Sequence, residues 1–186
     1  KKNMSSIKNL FYIISISLGI FIFIDLTIGN FLFKNYVNAP NLVITNKPFK
    51  SHDKFHHHLK GDWNGQLIWG QNKYNFCTNS FGFVTSCKKN NNTENNFDYV
   101  FLGDSFTLGI GMNYEDTFVG IFDKYFKELN IANMSVSSYS PSIYYSKLDY
   151  YLNKGIIFKH VIIYIDISDI QDETQRFIDD NNIVKK

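Results

Sequence analysis

Charge of a single sign is nearly absent from this sequence. Its 186 residues carry a formal net charge of only +2, with no dense Lys/Arg patch, which argues against a nucleic-acid partner. Cysteine is scarcer still, at two. Two thiolates do not fill a zinc site, and the spacing of Cys77 and Cys87 fits no zinc pattern. Four histidines cluster (His52, His56, His57, His58), but neighbouring side chains of an extended chain point in different directions and make no preformed metal site. They read instead as a solvent-exposed or substrate-lining loop, and no metal or cofactor is expected. Aromatics are plentiful, with 18 Phe and 12 Tyr. Beyond one apolar segment, the length suits a single domain of ordinary size.

Polar residues are almost missing from Leu10 to Phe33. The span is long enough for a bilayer, which takes ~20 residues. Lys1, Lys2 and Lys8 precede it, so residues 1–9 are expected in the cytoplasm and the remainder on the periplasmic or cell-surface side. Asp25 is awkward, since a carboxylate at the helix centre costs roughly 2.5–3.5 kcal/mol; it lies beyond the middle and can reach the outer interface. Residues 10–33 are therefore assigned to a transmembrane anchor. The alternative is a cleaved signal segment, with Val37-Asn38-Ala39 as a weak cleavage site and a secreted product.

Residues 34–73 hold Pro40, Pro48, Gly61 and Gly65 and read as a juxtamembrane linker with loops. The domain proper is expected over 74–186. It opens with Tyr74 to Cys87, which reads as paired strands about Asn79-Ser80 and Gly82. If this part is exported, the close Cys77/Cys87 pair suggests a disulfide, the alternative being two free thiols. Lys88 to Asn96 reads as a surface loop.

Tyr99-Val-Phe-Leu102 is a continuous apolar run, as for a strand covered on both faces. Gly103 permits a turn, and Asp104 and Ser105 sit where the strand stops, at the sheet edge where ligands bind in open α/β sheets. Ser105 is a candidate nucleophile; a helix-capping or turn role for Asp104 and Ser105 is the alternative. Farther on, Tyr114 to Asn130 has helical periodicity, with Phe118, Phe122, Tyr125, Phe126 and Leu129 on one stripe. Ile131 to Val136 reads as a second strand. Pro141 opens another helix, with Tyr144, Leu148, Tyr151 and Leu152 facing inward and Gly155 ending it. Val161 to Ile165 reads as a third strand. This alternation predicts an α/β fold with a mainly parallel sheet.

Gly103-Asp104-Ser105-Phe106-Thr107 resembles the first sequence block of the SGNH (GDSL-type) hydrolases, and Ser105 matches that family's nucleophile. Asn133 to Pro141 is similar to the second block, with Ser138 where the family has the glycine that lends a backbone N–H to the oxyanion hole. Asp166 to Glu173 resembles the third block, with Ser168 in place of the asparagine that completes the hole. The resemblance covers roughly Asn75 to Asp172 and extends to membrane-anchored, glycan-modifying relatives, which share an Asn-Ser-Phe-Gly-Phe element. It implies a flavodoxin-like three-layer sandwich behind the N-terminal helix. The oxyanion hole would comprise Ser105, Ser138 and Ser168, supported by Asp104 and Asp169. On the residues alone, the second stretch is equally a polar strand-to-helix loop, and Asp169, Asp172 and Glu173 equally an acidic helix N-terminus.

The family's catalytic base is a histidine preceded three residues earlier by aspartate. No Asp-x-x-His follows Asp172, and His160, before a strand, is expected at the opposite sheet edge from Ser105. The pair is therefore expected beyond Lys186, the chain being C-terminally incomplete. The function implied is an esterase or O-acyltransferase acting on acyl groups, acetyl first among them, of an extracytoplasmic glycan. Its partners are a membrane and an acylated carbohydrate. The alternative is a non-catalytic glycan-binding or assembly protein on the same fold.

Overall fold

The computed structural model describes residues 2–29, 47–89, 95–175, 178–180 and 183–185. The chain divides into two compact units, Lys1–Val43 and Ile44–Lys186.

In the first unit, helix α1 (Lys2–Ile24) runs into a π-helical turn over Asp25–Gly29. Lys8–Gly29 is long and apolar enough to cross a membrane, and its position near the N-terminus also suits a signal sequence. The turn contains Asp25, and Thr27 Oγ1 donates to Phe23 O at 2.6 Å. Residues 30–33 of the expected span, and the cleavage motif Val37–Ala39, lie outside the described residues.

The second unit begins with an antiparallel ribbon, β1 (Phe49–His52) and β2 (His56–Leu59), which pairs His52 with His56 and Lys50 with His58. A six-stranded sheet follows, made of β3 (Asn64–Trp69), β4 (Asn72–Thr78), β5 (Val84–Thr85), β6 (Asn96–Leu102), β7 (Ile131–Asn133) and β8 (Ile157–Ile163), in the order β3-β4-β5-β7-β6-β8. Helices α2 (Ser105–Leu108), α3 (Phe118–Tyr125), α4 (Pro141–Asn153) and α5 (Ile167–Gln175) connect or follow its strands. A final antiparallel pair is β9 (Ile178–Asp180) with β10 (Ile183–Lys185).

Neither the mainly parallel sheet expected from the alternation of elements nor the flavodoxin-like sandwich implied by the resemblance is what forms. Only β7, β6 and β8 are mutually parallel. The β3–β4, β4–β5 and β5–β7 pairs are antiparallel, so the sheet is mixed. The difference originates in Asn64 to Thr85, where β4 and β5 join the sheet and residues 34–73 supply a further strand, β3. Glycines there suggested loops, yet Asn64 to Trp69 alternates outward Asn64 and Gln66 with buried Leu67, a period of two. Asn133 is the junction, opposite Phe101 in parallel and Val84 in antiparallel register.

The long helix expected over Tyr114–Asn130 is also shorter. A 3-10 turn at Tyr114–Asp116 precedes α3, whose N-cap Thr117 accepts from Gly120 N at 3.0 Å. The chain leaves the helix at Phe126, and Phe118, Tyr125 and Phe126 are exposed. In α4, Tyr144 and Tyr151 face the core as the pattern implied, whereas Leu152 is exposed. The core lies where β6 and β7 meet α4 and the β2 ribbon, around Phe55, Phe83, Val100, Met134, Tyr139 and Ile143. Cys77 of β4 and Cys87, in the turn after β5, form a disulfide with Cα atoms 5.2 Å apart.

Candidate functional site

Strand β6 buries Phe97, Val100, Phe101 and Leu102, so its apolar run is consumed by the core and the first polar residues emerge at its carboxyl end. Gly103 is required at that exit: a Cβ there would stand 2.2 Å from Thr107 Oγ1. Asp104 caps α2, its Oδ1 accepting from Phe106 N at 2.9 Å. Ser105 opens the helix half-buried and donates its hydroxyl to Asp104 Oδ2 at 3.1 Å.

Two further loops meet this turn. After β7, Val136 N donates to Gly103 O at 3.3 Å, while Asn133 Nδ2 reaches Thr107 O at 3.1 Å. The loop is thereby stitched to β6 and α2. It holds Ser138 at φ 59°, in the left-handed region that glycine enters without strain. After β8, Tyr164 N donates to Leu102 O at 2.9 Å and leads into Asp166-Ile-Ser-Asp169. Ser168 donates its hydroxyl to Asp166 Oδ1 at 2.6 Å and stands 3.5 Å from Asp104 Oδ2.

Each of these serine hydroxyls has one proton, and those of Ser105 and Ser168 are turned onto carboxylates. For either to donate to an oxyanion it must exchange partners. The backbone N–H of Ser105 is a separate donor that such an exchange leaves untouched.

The most distinctive electrostatic feature is a group of three carboxylates. Ligand-type oxygens of Asp104, Asp166 and Asp169 lie within 4.8 Å of one another, close enough to converge on one cation and to feel one another's charge. Asp169 is almost fully buried, and Tyr144 OH donates to its Oδ2 at 3.1 Å. Its Oδ1 has no hydrogen-bond partner among the described residues. Desolvation pushes the Asp169 carboxyl up, with the neighbouring Asp104 and Asp166 charges adding to the rise. Asp166, receiving hydrogen bonds from Ser168, is held below the usual carboxylate range. The two environments drive neighbouring acids apart.

Glu173 does something the sequence pattern did not suggest. It lies well inside α5 rather than in its first turn, and it reaches across to the start of α4. Its carboxylate accepts from Ser142 N at 3.1 Å and from the Ser142 hydroxyl. Burial pushes the Glu173 carboxyl up, and the Ser142 contacts outweigh it and hold the group low.

The histidines are ordered on the ribbon. His57 Nε2 lies 2.8 Å from Ser137 O. A carbonyl only accepts, so Nε2 carries the proton; in the neutral ring Nδ1 then accepts from His56 Nδ1 at 2.8 Å. Tyr139 OH returns a hydrogen bond to His57 O at 2.7 Å. His58 is buried and is drawn toward Phe81 O and Tyr151 OH, each at 2.8 Å. The exposed-loop reading is therefore corrected: pairing with β1 and packing on α4 bring these rings inward. His160 stacks on Tyr99, in mid-strand, with ring centroids 4.7 Å apart. Among the described residues, no histidine is hydrogen-bonded to Ser105.

A cavity of about 410 Å³ opens beside the Ser105 turn, lined by Trp69, Ser105, Phe106, Gly109, Ile110, Met112 and Ser137. Ser105 and the loop carrying Ser138 thus face a common space. Trp69 and Lys147 had no sequence signal of a role. Lys147 is an ordinary cation in an amphipathic helix pattern, yet it is fully buried and donates to Met134 O, bracing the loop after β7. No family model, curated protein or solved structure matches the chain.

Proposed function

We propose that this chain carries a serine-dependent acyl site of the SGNH type, an esterase or O-acyltransferase for acyl esters of an extracytoplasmic glycan. The observation that carries the reading is the position of Ser105. It lies at the carboxyl end of β6, on the wall of a cavity shared with the loop after β7, and beside the acidic turn after β8. Resemblance of the three blocks to the SGNH family supplies the chemistry. The apolar N-terminal helix, preceded by lysines, supports attachment to a membrane with the site outside the cytoplasm.

In this reading the Ser105 oxygen attacks the ester carbonyl carbon while a base takes the hydroxyl proton. The carbonyl electrons move to oxygen, facing the Ser105 N–H and the Ser138 backbone. Collapse breaks the bond to the glycan oxygen, which leaves with the proton. Water or a sugar hydroxyl then takes the acyl group and restores the serine. Asp104 holds the hydroxyl, but carboxylates in general are weak bases at neutral pH. His57, tied to Ser137 on the cavity wall, is the ring whose movement can supply a stronger one.

The test is turnover of 4-nitrophenyl acetate by the full chain in nanodiscs, with and without oligosaccharide acceptors. Ser105→Ala should fold and lose turnover by orders of magnitude; equal rates in both proteins sink the proposal. A non-catalytic glycan-binding reading is favoured by one observation, the donation of the Ser105 hydroxyl to a carboxylate rather than to a histidine. In that case Ser105→Ala leaves oligosaccharide binding intact and neither protein turns over ester.

A further inference from the structure

We infer that the cavity beside Ser105 is an acyl-chain subsite that takes a straight aliphatic chain of several carbons, not an acetyl group alone. The inference rests on the acyl-ester reading of Ser105 and narrows its substrate class.

Three observations lead there. The first is size. At about 410 Å³ the cavity falls in the range of small-molecule sites. A water-sized group occupies ~30 Å³ of liquid volume, so there is space for on the order of ten such groups. An acetyl group would leave most of it empty.

The second is lining chemistry. Trp69, Phe106, Ile110 and Met112 supply the walls, and among the described lining residues the polar side-chain groups are the hydroxyls of Ser105 and Ser137 and the indole N–H of Trp69. None of these lining residues brings a carboxylate, amide or cation. A sugar ring placed inside would leave most of its hydroxyls without partners, at roughly 1–3 kcal/mol for each one buried unsatisfied. An alkyl chain has no such groups. With the chain inside, its ester carbonyl would sit at the hydroxyl end, next to Ser105.

The third is construction. Trp69 ends β3 and is 62% exposed, an unusual position for tryptophan unless something covers it. Gly111, at φ 86°, lets the indole lie close: a Cβ there would be 3.2 Å from Trp69 Cδ1. Asn75 N donates to Asn113 Oδ1 at 3.0 Å, pinning the β3–β4 hairpin to the same loop. Phe106 and Met112, both exposed, complete the mouth. Methionine adapts to chains of different length without a fixed shape.

The experiment uses methyl ketones of increasing length (acetone, 2-butanone, 2-hexanone, 2-octanone) as uncharged, unreactive stand-ins for the acyl ester. They are titrated into the full chain in nanodiscs, since detergent tails would compete. Trp69 emission is the readout, Trp63 being in the core. Affinity should rise up to about fourfold per methylene, the equivalent of ~0.8 kcal/mol, until the cavity is full. Ser105→Ala should keep that series, and Met112→Glu, at an exposed position, should abolish it. A flat series overturns the inference, as does an unchanged series in Met112→Glu, or a Trp69 response to cellobiose but not to ketones. The two proposals fail separately. Turnover of acetyl ester with a flat ketone series removes the subsite and leaves the esterase. A rising series with no Ser105-dependent turnover removes the esterase and leaves a cavity that binds alkyl chains without acting on their esters.

Discussion

Acidification should weaken this fold through His58. The ring is 2% exposed, packed under Gly82 and against Tyr151, with Nε2 at 2.8 Å from Phe81 O and Nδ1 without a partner among the described residues. Burial first, and the Lys147 amine second, push its pKa from 6.5 down to about 2. The unfolded chain therefore takes up a proton near pH 6.5 that the folded chain refuses. Stability is fully present above that pH and is lost progressively as pH falls toward 2. At pH 4.5, two units below the unfolded value, the loss attributable to this ring is about 3 kcal/mol, at ~1.36 kcal/mol per unit. That is a large share of a typical 5–15 kcal/mol. The assay is urea unfolding of the full chain in nanodiscs at pH 7.5 and 4.5, followed by tryptophan fluorescence. His58→Gln retains an amide donor for Phe81 O and cannot titrate. Its starting stability will be lower, but its loss on acidification should be smaller than that of the wild type by about 3 kcal/mol. Asp166 and Glu173, both held below the ordinary carboxylate range, destabilise the two proteins equally on acidification and cancel in the comparison. Equal losses in both proteins would refute the assignment.

Lys147 is buried without an acidic partner among the described residues, and desolvation holds its pKa well below 10.5, so neutral pH works against the fold. Lys147→Met should raise the thermal midpoint at pH 7, by less near pH 10; a lower midpoint at both would show that its hydrogen bond to Met134 O outweighs the buried amine. Opening the Cys77–Cys87 disulfide should cost about 2–3 kcal/mol on the chain-entropy model, read as a drop in urea midpoint on adding dithiothreitol that a Cys77→Ala/Cys87→Ala variant does not show. At Ser138, with φ 59°, Ser138→Gly should be tolerated while Ser138→Val loses roughly 2 kcal/mol or more, since a β-branched side chain resists the left-handed region. Equal stability of the two variants would remove the strain argument.

Much of the candidate site was legible because it is written in local signals. An apolar run that ends in Gly-Asp-Ser states both the strand and its exit, since burial consumes Val100 to Leu102 and polar residues mark where it stops. Pro141 announced α4, and the period of its tyrosines gave the buried face. The apolar stretch from Leu10 needed nothing beyond its own composition to become a helix. Sheet direction was different. Each strand's pattern reports how deeply it is buried, not which neighbour it pairs with, so the paired strands read in Tyr74 to Cys87 carried no sign that they would join the sheet beside β7, nor that Asn64 to Trp69 would extend it. Glycine signals in that stretch outweighed a short alternation that only pairing makes meaningful.

Tertiary structure alone decided the chemistry around Ser105. Asp104, Asp166 and Asp169 are up to 65 residues apart in number, and their mutual field exists only once β6 and β8 lie side by side. The same holds for Trp69, which reads as one residue at a strand end and becomes a cavity wall when the hairpin closes over Gly111. His58 and Lys147 look like solvated polar residues until packing removes their water. Local sequence determines which backbone states are cheap and which faces are apolar; proximity of groups distant in the chain, and the dielectric around them, are properties of the folded whole.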